Sequence, residues 1–213
     1  MRMTALLATA LLASSWPAAA MAATVLDATG DFAPGYTGAA ADLDVTSFSV
    51  GYNGTTQTFA LGATFAGVID PSTIGTYIIG VNTGTGVNAP FASIGAPNVR
   101  FNQTIRVNKD GTATLGATPL SATVVGNLFT LNVPLALLPS TGFTAEQYGW
   151  NLWPRNGLGA GTFVTDFAPN NGLLSVAAAT PEPGSWAMMI VGLGLAGAIA
   201  RRRRAAVRAF SAV

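Results

Sequence analysis

The sequence predicts an all-β protein: an antiparallel β-sandwich flanked by an N-terminal signal peptide and a C-terminal transmembrane helix. Three observations carry the sandwich. Apolar residues alternate with polar ones over several short runs. Turn-forming pairs separate those runs. No interior window of a dozen residues shows a 3.6-residue period with helix-forming residues.

The runs follow one another along the chain. Leu43 and Val45, then Phe48, Val50 and Tyr52, face one side, with a phase slip near Thr46 and Ser47 that predicts a bulge. Asn53-Gly54 predicts a tight hairpin turn. Phe59, Leu61, Ala63 and Phe65 form the returning face. Val99, Phe101, Ile105 and Val107 alternate with Arg100, Asn102, Thr104 and Arg106, the pattern of a strand with one wet face. Lys109-Asp110-Gly111 turns that strand. Gly126-Asn127 separates Val124 and Val125 from Phe129, Leu131 and Val133, another hairpin, and Pro134 and Pro139 bracket its end.

Composition narrows the function. Of 213 residues, 50% are hydrophobic and 9% charged, against about 25% charged in an average soluble domain. There is no Cys and no His. A disulfide framework is excluded, as are Cys/His zinc sites and catalysis by His bases or Cys nucleophiles. Between residues 23 and 180 the basic residues are Arg100, Arg106, Lys109 and Arg155. The acids there are Asp27, Asp31, Asp42, Asp44, Asp70, Asp110, Glu146 and Asp166. An acidic domain without a basic stripe is not expected to bind nucleic acid.

The two ends read as addresses. Arg2 precedes an apolar run over residues 5–13, Pro17 breaks it, and Ala20-Met21-Ala22 places small residues where signal peptidase needs them. Cleavage is expected after Ala22. At the other end, Pro181-Glu182-Pro183 forces an extended segment. Trp186, followed by Ala187, suits the membrane–water interface. Residues 184–200 would span about 25 Å as a helix, near the lower limit for crossing a bilayer. Arg201, Arg202, Arg203 and Arg204 then stop transfer and keep the end cytoplasmic. Gly192-Leu193-Gly194-Leu195-Ala196-Gly197 matches a dinucleotide fingerprint in letters only, because it lies inside the anchor and not after a strand.

Pro-Glu-Pro-x-x-Trp-Ala, a short Gly-rich apolar helix and an arginine cluster, in that order, resemble the PEP-CTERM sorting signal. The resemblance implies a Gram-negative-type bacterium, recognition of Pro181, Glu182 and Pro183 by an exosortase, and a link to exopolysaccharide or biofilm. It leaves the activity of the domain open. The organisation expected is a signal peptide at 1–22, a β-sandwich at 23–176 and a linker at 177–185. The anchor and arginine stop follow at 186–204, with a short tail at 205–213.

The middle of the chain also resembles sandwich domains of the DOMON and family 9 carbohydrate-binding kind. The likeness rests on Gly30-Asp31, Ala41-Asp42-Leu43-Asp44, the run from Tyr77 to Gly84, and Val133-Pro134-Leu135. It implies a sandwich and a sugar ligand.

Candidate chemistry is sparse. Asp27, Asp31, Asp42 and Asp44 cluster in a Gly-rich entry loop and offer the oxygens Ca²⁺ prefers, without EF-hand spacing. Solvated loop acids are the plainer reading, and no cofactor other than calcium is expected. Tyr148, Trp150 and Trp153, beside Asn151 and Arg155, would hold a sugar ring or else fill the core. Alternation puts Trp153 on the opposite face from Tyr148 and Trp150. Glu146 and Asp166 are the acids a glycosidase would use, though nothing marks them as a pair. The expected function is a non-enzymatic surface or matrix protein. It would meet signal peptidase, the inner membrane and an exosortase in turn, and then exopolysaccharide. A carbohydrate-binding module and a secreted hydrolase are the alternatives.

Overall fold

The computed structural model describes residues 21–157 and 163–176. The expected linker, sorting motif, anchor and arginine stop lie outside the described residues, as does all of the expected signal peptide but Met21 and Ala22. Among the described residues no helix is long and apolar enough to cross a membrane.

Ten strands make up the domain. They are β1 (Met21–Leu26), β2 (Val45–Asn53), β3 (Thr58–Phe65), β4 (Thr76–Asn82), β5 (Gln103–Asn108), β6 (Thr112–Leu115), β7 (Thr118–Val125), β8 (Leu128–Pro134), β9 (Gly149–Arg155) and β10 (Leu174–Ser175). They are hydrogen-bonded in the order β1-β2-β3-β8-β7-β6-β5-β4-β9-β10, and each neighbouring pair is antiparallel. The expected antiparallel sandwich is present.

Strand β7 makes the corner between the layers. Its first half, from Thr118 to Ser121, pairs with β6, and its second half, from Ala122 to Val125, pairs with β8. One sheet folds over on itself there, giving layers β1-β2-β3-β8 and β6-β5-β4-β9-β10 joined through β7.

Period-2 alternation places the core between those layers. Phe48, Val50, Phe59, Leu61, Phe65, Phe129 and Leu131 come from one side. Tyr77, Ile79, Val81, Ile105, Val107, Trp150 and Leu152 come from the other. Aromatic contacts cross the gap: Phe65 to Tyr77 at 4.5 Å, Phe59 to Trp150 at 4.8 Å and Tyr77 to Phe129 at 5.4 Å between ring centroids. Burying each such ring contributes about 1.5–3 kcal/mol.

Most of the expected local detail is found. The β2–β3 register shifts between Val45 and Ser47, the site of the expected bulge. The Gly126-Asn127 hairpin joins β7 and β8, with Gly126 at φ 60°. Two expectations need correction. The Asn53-Gly54 hairpin is not a tight two-residue turn: residues 54–57 form the loop, and the residue with positive φ is Gln57, at 50°. Asn53 Oδ1 accepts the N–H groups of Thr55 and Thr56, and these bonds organise the wider loop. The strand expected from Val99 to Val107 starts only at Gln103. Before it, Phe101 exchanges backbone bonds with Asn88, and the Asn102 side chain binds Thr83, Thr85 and Thr141. Ile105 and Val107 enter the main core, whereas Val99 and Phe101 pack outside it.

That outside packing forms a second apolar cluster. Trp153 lies among Ala33, Ala96, Val99, Val164 and Phe167, with Phe91 and Phe101 against it. It sits on β4 where Gly80 has no side chain. A Cβ on Gly80 would come within 2.4 Å of the Trp153 ring. Gly80→Ala should therefore destabilise the fold by about 1–3 kcal/mol, read as a lower urea midpoint with an unchanged m-value.

Candidate functional site

Three carboxylates meet where the ends of the domain come together. One oxygen each from Asp27, Asp31 and Asp166 lies within 4.8 Å of the others. Asp27 follows the end of β1, and Asp31 lies in the loop after it. Asp166 comes from a segment that binds β9 through Ala168–Leu152 and Val164–Arg155 bridges. Asn170 Nδ2 donates to Asp27 Oδ1 at 3.2 Å and to Asp31 Oδ2 at 3.0 Å.

Asp44 adjoins the group from the start of β2. Its Oδ2 accepts the Gly30 N–H at 2.9 Å, which fixes the carboxylate against the 27–31 loop. Asp166 is likewise held, by the N–H groups of Val45 and Phe167, both at 2.7 Å. Asp166 is fully buried, and Asp44 is 3% exposed. Asp27 Oδ2 and Asp44 Oδ1 are buried without a hydrogen-bond partner.

The expected acid set is therefore changed in membership. Asp27 and Asp31 come together with Asp166, 135 residues after Asp31 in the chain, and Asp44 adjoins them through its bond from Gly30. Asp42 does not. It forms a buried ion pair with Lys109, Nζ to Oδ2 at 2.5 Å, and Lys109 also donates to Thr73 Oγ1. Lys109 was expected only as part of a turn; the turn is there, but its side chain reaches inward. Burial of Asp42 and Asp44 on either side of Leu43 gives adjacent acids different partners.

Burial, with Asp31 as a like-charged neighbour, pushes the Asp27 carboxyl up to about 7, and Asp44 adds to the effect. Burial pushes Asp166 up to about 8 despite its two N–H bonds, with Asp27 and Asp31 acting in the same direction. Asp44 is raised too, by burial against the opposing bond from Gly30.

The aromatic group is not a sugar platform. Tyr148, Trp150, Asn151 and Trp153 are all buried, Trp153 at 2% exposure. Tyr148 and Trp150 pack on Phe59 in the main core, and the Tyr148 hydroxyl donates to the Leu138 carbonyl. Asn151 Nδ2 donates to the carbonyls of Pro169 and Gly172. Trp153 is on the opposite face, as alternation predicts, but a second layer covers that face as well. Arg155 ends β9, half-buried, paired with Thr76 of β4. With their faces occupied by protein, these rings cannot stack on a sugar. Of the two acids a glycosidase would use, Asp166 belongs to the acid group, whereas Glu146 lies near Tyr52, whose hydroxyl is pushed up by burial and by the Glu146 charge.

Residues 179–204 match the model of the PEP-CTERM protein-sorting motif. The chain carries a PEP-CTERM sorting signal. That signal implies export, sorting to the cell surface and an exosortase as processing partner. No curated protein matches the chain. The PEP-CTERM match covers the tail, and the comparisons give no support to a DOMON or family 9 likeness in the middle.

The acid group gives the stability of the β domain a pH dependence of definite sign. Unfolded, Asp27 and Asp166 would titrate near 3.8. Folded, they hold their protons up to about 7 and about 8, so the folded state binds more protons across that window. Their contribution is fully present below about pH 4 and is lost as pH rises through 7 to 8. With no His or Cys, few other groups titrate there. Asp70 and Asp110, held low by bonds from Ser72 and Thr112, act below it. In EDTA, calorimetry should find a higher melting midpoint at about pH 5 than at about pH 8.5.

Proposed function

We propose that the β domain is a structural component of the cell surface or extracellular matrix, associated with exopolysaccharide, and that its membrane anchor is temporary. The observation that carries this reading is the sorting motif at residues 179–204. Its physical logic supports release. As a sequence pattern, Pro181 and Pro183 favour an extended backbone, Trp186 suits the membrane–water interface, and four arginines suit a cytoplasmic stop. A permanent anchor needs no Pro-Glu-Pro specificity, and 17 residues make a marginal span. A substrate held at fixed depth for a membrane-embedded enzyme uses every one of these features.

The β domain suits a load-bearing role better than a catalytic one. Its candidate sugar-stacking rings are consumed by packing, and three of its acids meet at a joint between distant segments. Signal peptidase acts first. The expected cut after Ala22 falls inside β1, where Ala22 pairs with Gly51, so the mature strand keeps the pairs from Ala23–Val50 to Leu26–Ser47. Mass spectrometry of the exported protein should find Ala23 at the N-terminus; a mature chain retaining Arg2 contradicts the cleavage.

The sorting step is tested by the triple variant Pro181→Ala, Glu182→Ala, Pro183→Ala, and separately by deleting the exosortase. Both should leave an unprocessed form in the inner-membrane fraction and deplete the protein from the matrix. Processing and export at the wild-type level in either case would remove the motif as the signal.

A further inference from the structure

We propose that Asp27, Asp31 and Asp166, with the side-chain amide of Asn170 and with Asp44 beside them, bind one Ca²⁺ ion that staples the N-terminal loop to the C-terminal segment of the β domain.

The geometry comes first. Oxygens that share one ion at about 2.4 Å lie at most about 4.8 Å apart. Oxygens of Asp27, Asp31 and Asp166 already meet a 4.8 Å limit. For Mg²⁺, whose ligands sit at about 2.0–2.1 Å, the corresponding limit is about 4.2 Å. The donors are all oxygen, which suits a hard cation and not zinc or copper.

A second observation is independent of the cluster's composition. Asp44 is 3% exposed, and its Oδ1 has no partner among the described residues. Its other oxygen is pinned by Gly30, and its charge acts on Asp27 while that of Asp31 acts on it. A buried carboxylate oxygen beside three more acids lacks the donor it needs, and a cation would satisfy it. Asp27 Oδ2 is buried and unpartnered in the same place. Asn170 points its amide nitrogen at Asp27 and Asp31. Rotating that amide by half a turn would present Oδ1 to an ion at the same position.

The carboxylates are also held ready. Val45, Phe167 and Gly30 donate backbone N–H groups to the oxygens that fix Asp166 and Asp44. Ion binding then has little side-chain ordering left to do. The ligands come from the loop after β1 and the 163–170 segment. One ion there ties together parts of the chain more than 130 residues apart, between Asp31 and Asp166.

The test uses the full chain in detergent, with calorimetry in EDTA, in millimolar Mg²⁺ and in millimolar Ca²⁺, together with a calcium titration. The melting midpoint should rise by about 5 °C or more in Ca²⁺, saturably, and much less in Mg²⁺. Asp31→Asn should weaken calcium binding by about tenfold or more, and Asp44→Asn, which removes a neighbouring charge and not a ligand, by less. Asp110→Asn, the same charge change in a remote turn, should keep the full shift. If Asp44→Asn does not fold, Asp31→Asn decides, because it also removes a like charge and should melt no lower than wild type in EDTA. An unchanged wild-type midpoint in Ca²⁺, an equal response to Mg²⁺, or a full calcium shift in Asp31→Asn would overturn the proposal.

Discussion

The structure depends on burying the β4–β9 ladder on both faces. Inward, Tyr77, Ile79, Trp150 and Leu152 meet the aromatic residues of β3 and β8. Outward, Trp153 lies on the bare backbone of Gly80 and is roofed by Phe91 and Phe101. Antiparallel sheets usually keep one face wet. Here the long loop between β4 and β5 and the 163–169 segment supply a third layer. That layer positions Asp166, because Val164 and Phe167 anchor its neighbours in the outer cluster. The acid group is thus a consequence of how the second face is covered.

A chain with no cysteine must join its segments by packing and polar contacts. Two polar joints stand out, and both begin in the short Asp42-Leu43-Asp44 stretch. Asp42 reaches Lys109 at the β5–β6 turn. Asp44 reaches Gly30, and its neighbour Val45 donates to Asp166. Leu43 between them is buried in the main core, and its carbonyl accepts from Thr165. A buried ion pair is a modest source of net stability but a costly one to break, so it favours one arrangement over others. For a domain sorted to the cell surface, calcium at the second joint would act in the compartment where weak extracellular sites are filled.

Much of the fold was legible because strand patterning is local. The alternation in β2, β3 and β8 named the inward residues, and the bulge near Thr46 showed as a slip in phase. Strands β1 and β10 left little trace: one is an edge strand at the expected cleavage site, and the other has two residues. The regular β4–β5 ladder stops at Gln103: Phe101 pairs its backbone with Asn88 instead, and the Asn102 side chain ties in Thr83 and Thr141. Neither threonine is near Asn102 in sequence, so no local pattern announced it.

The sequence by itself determined the sorting motif at residues 179–204 and the all-β class. Sorting enzymes read short linear segments, and a strand's face is set by parity, so neighbouring residues contain that information. Tertiary structure alone decided what the acids and aromatics do. Parity put Trp153 opposite Trp150 but was silent on whether that face would be covered, and a loop from elsewhere covered it. Adjacency grouped Asp42 with Asp44, yet the chain sent one to Lys109 and the other towards Asp27 and Asp31. Asp166 joined that group from the far end of the domain because its segment pairs with β9. Contacts between distant segments follow from how the layers close, and that closure is a property of the whole fold.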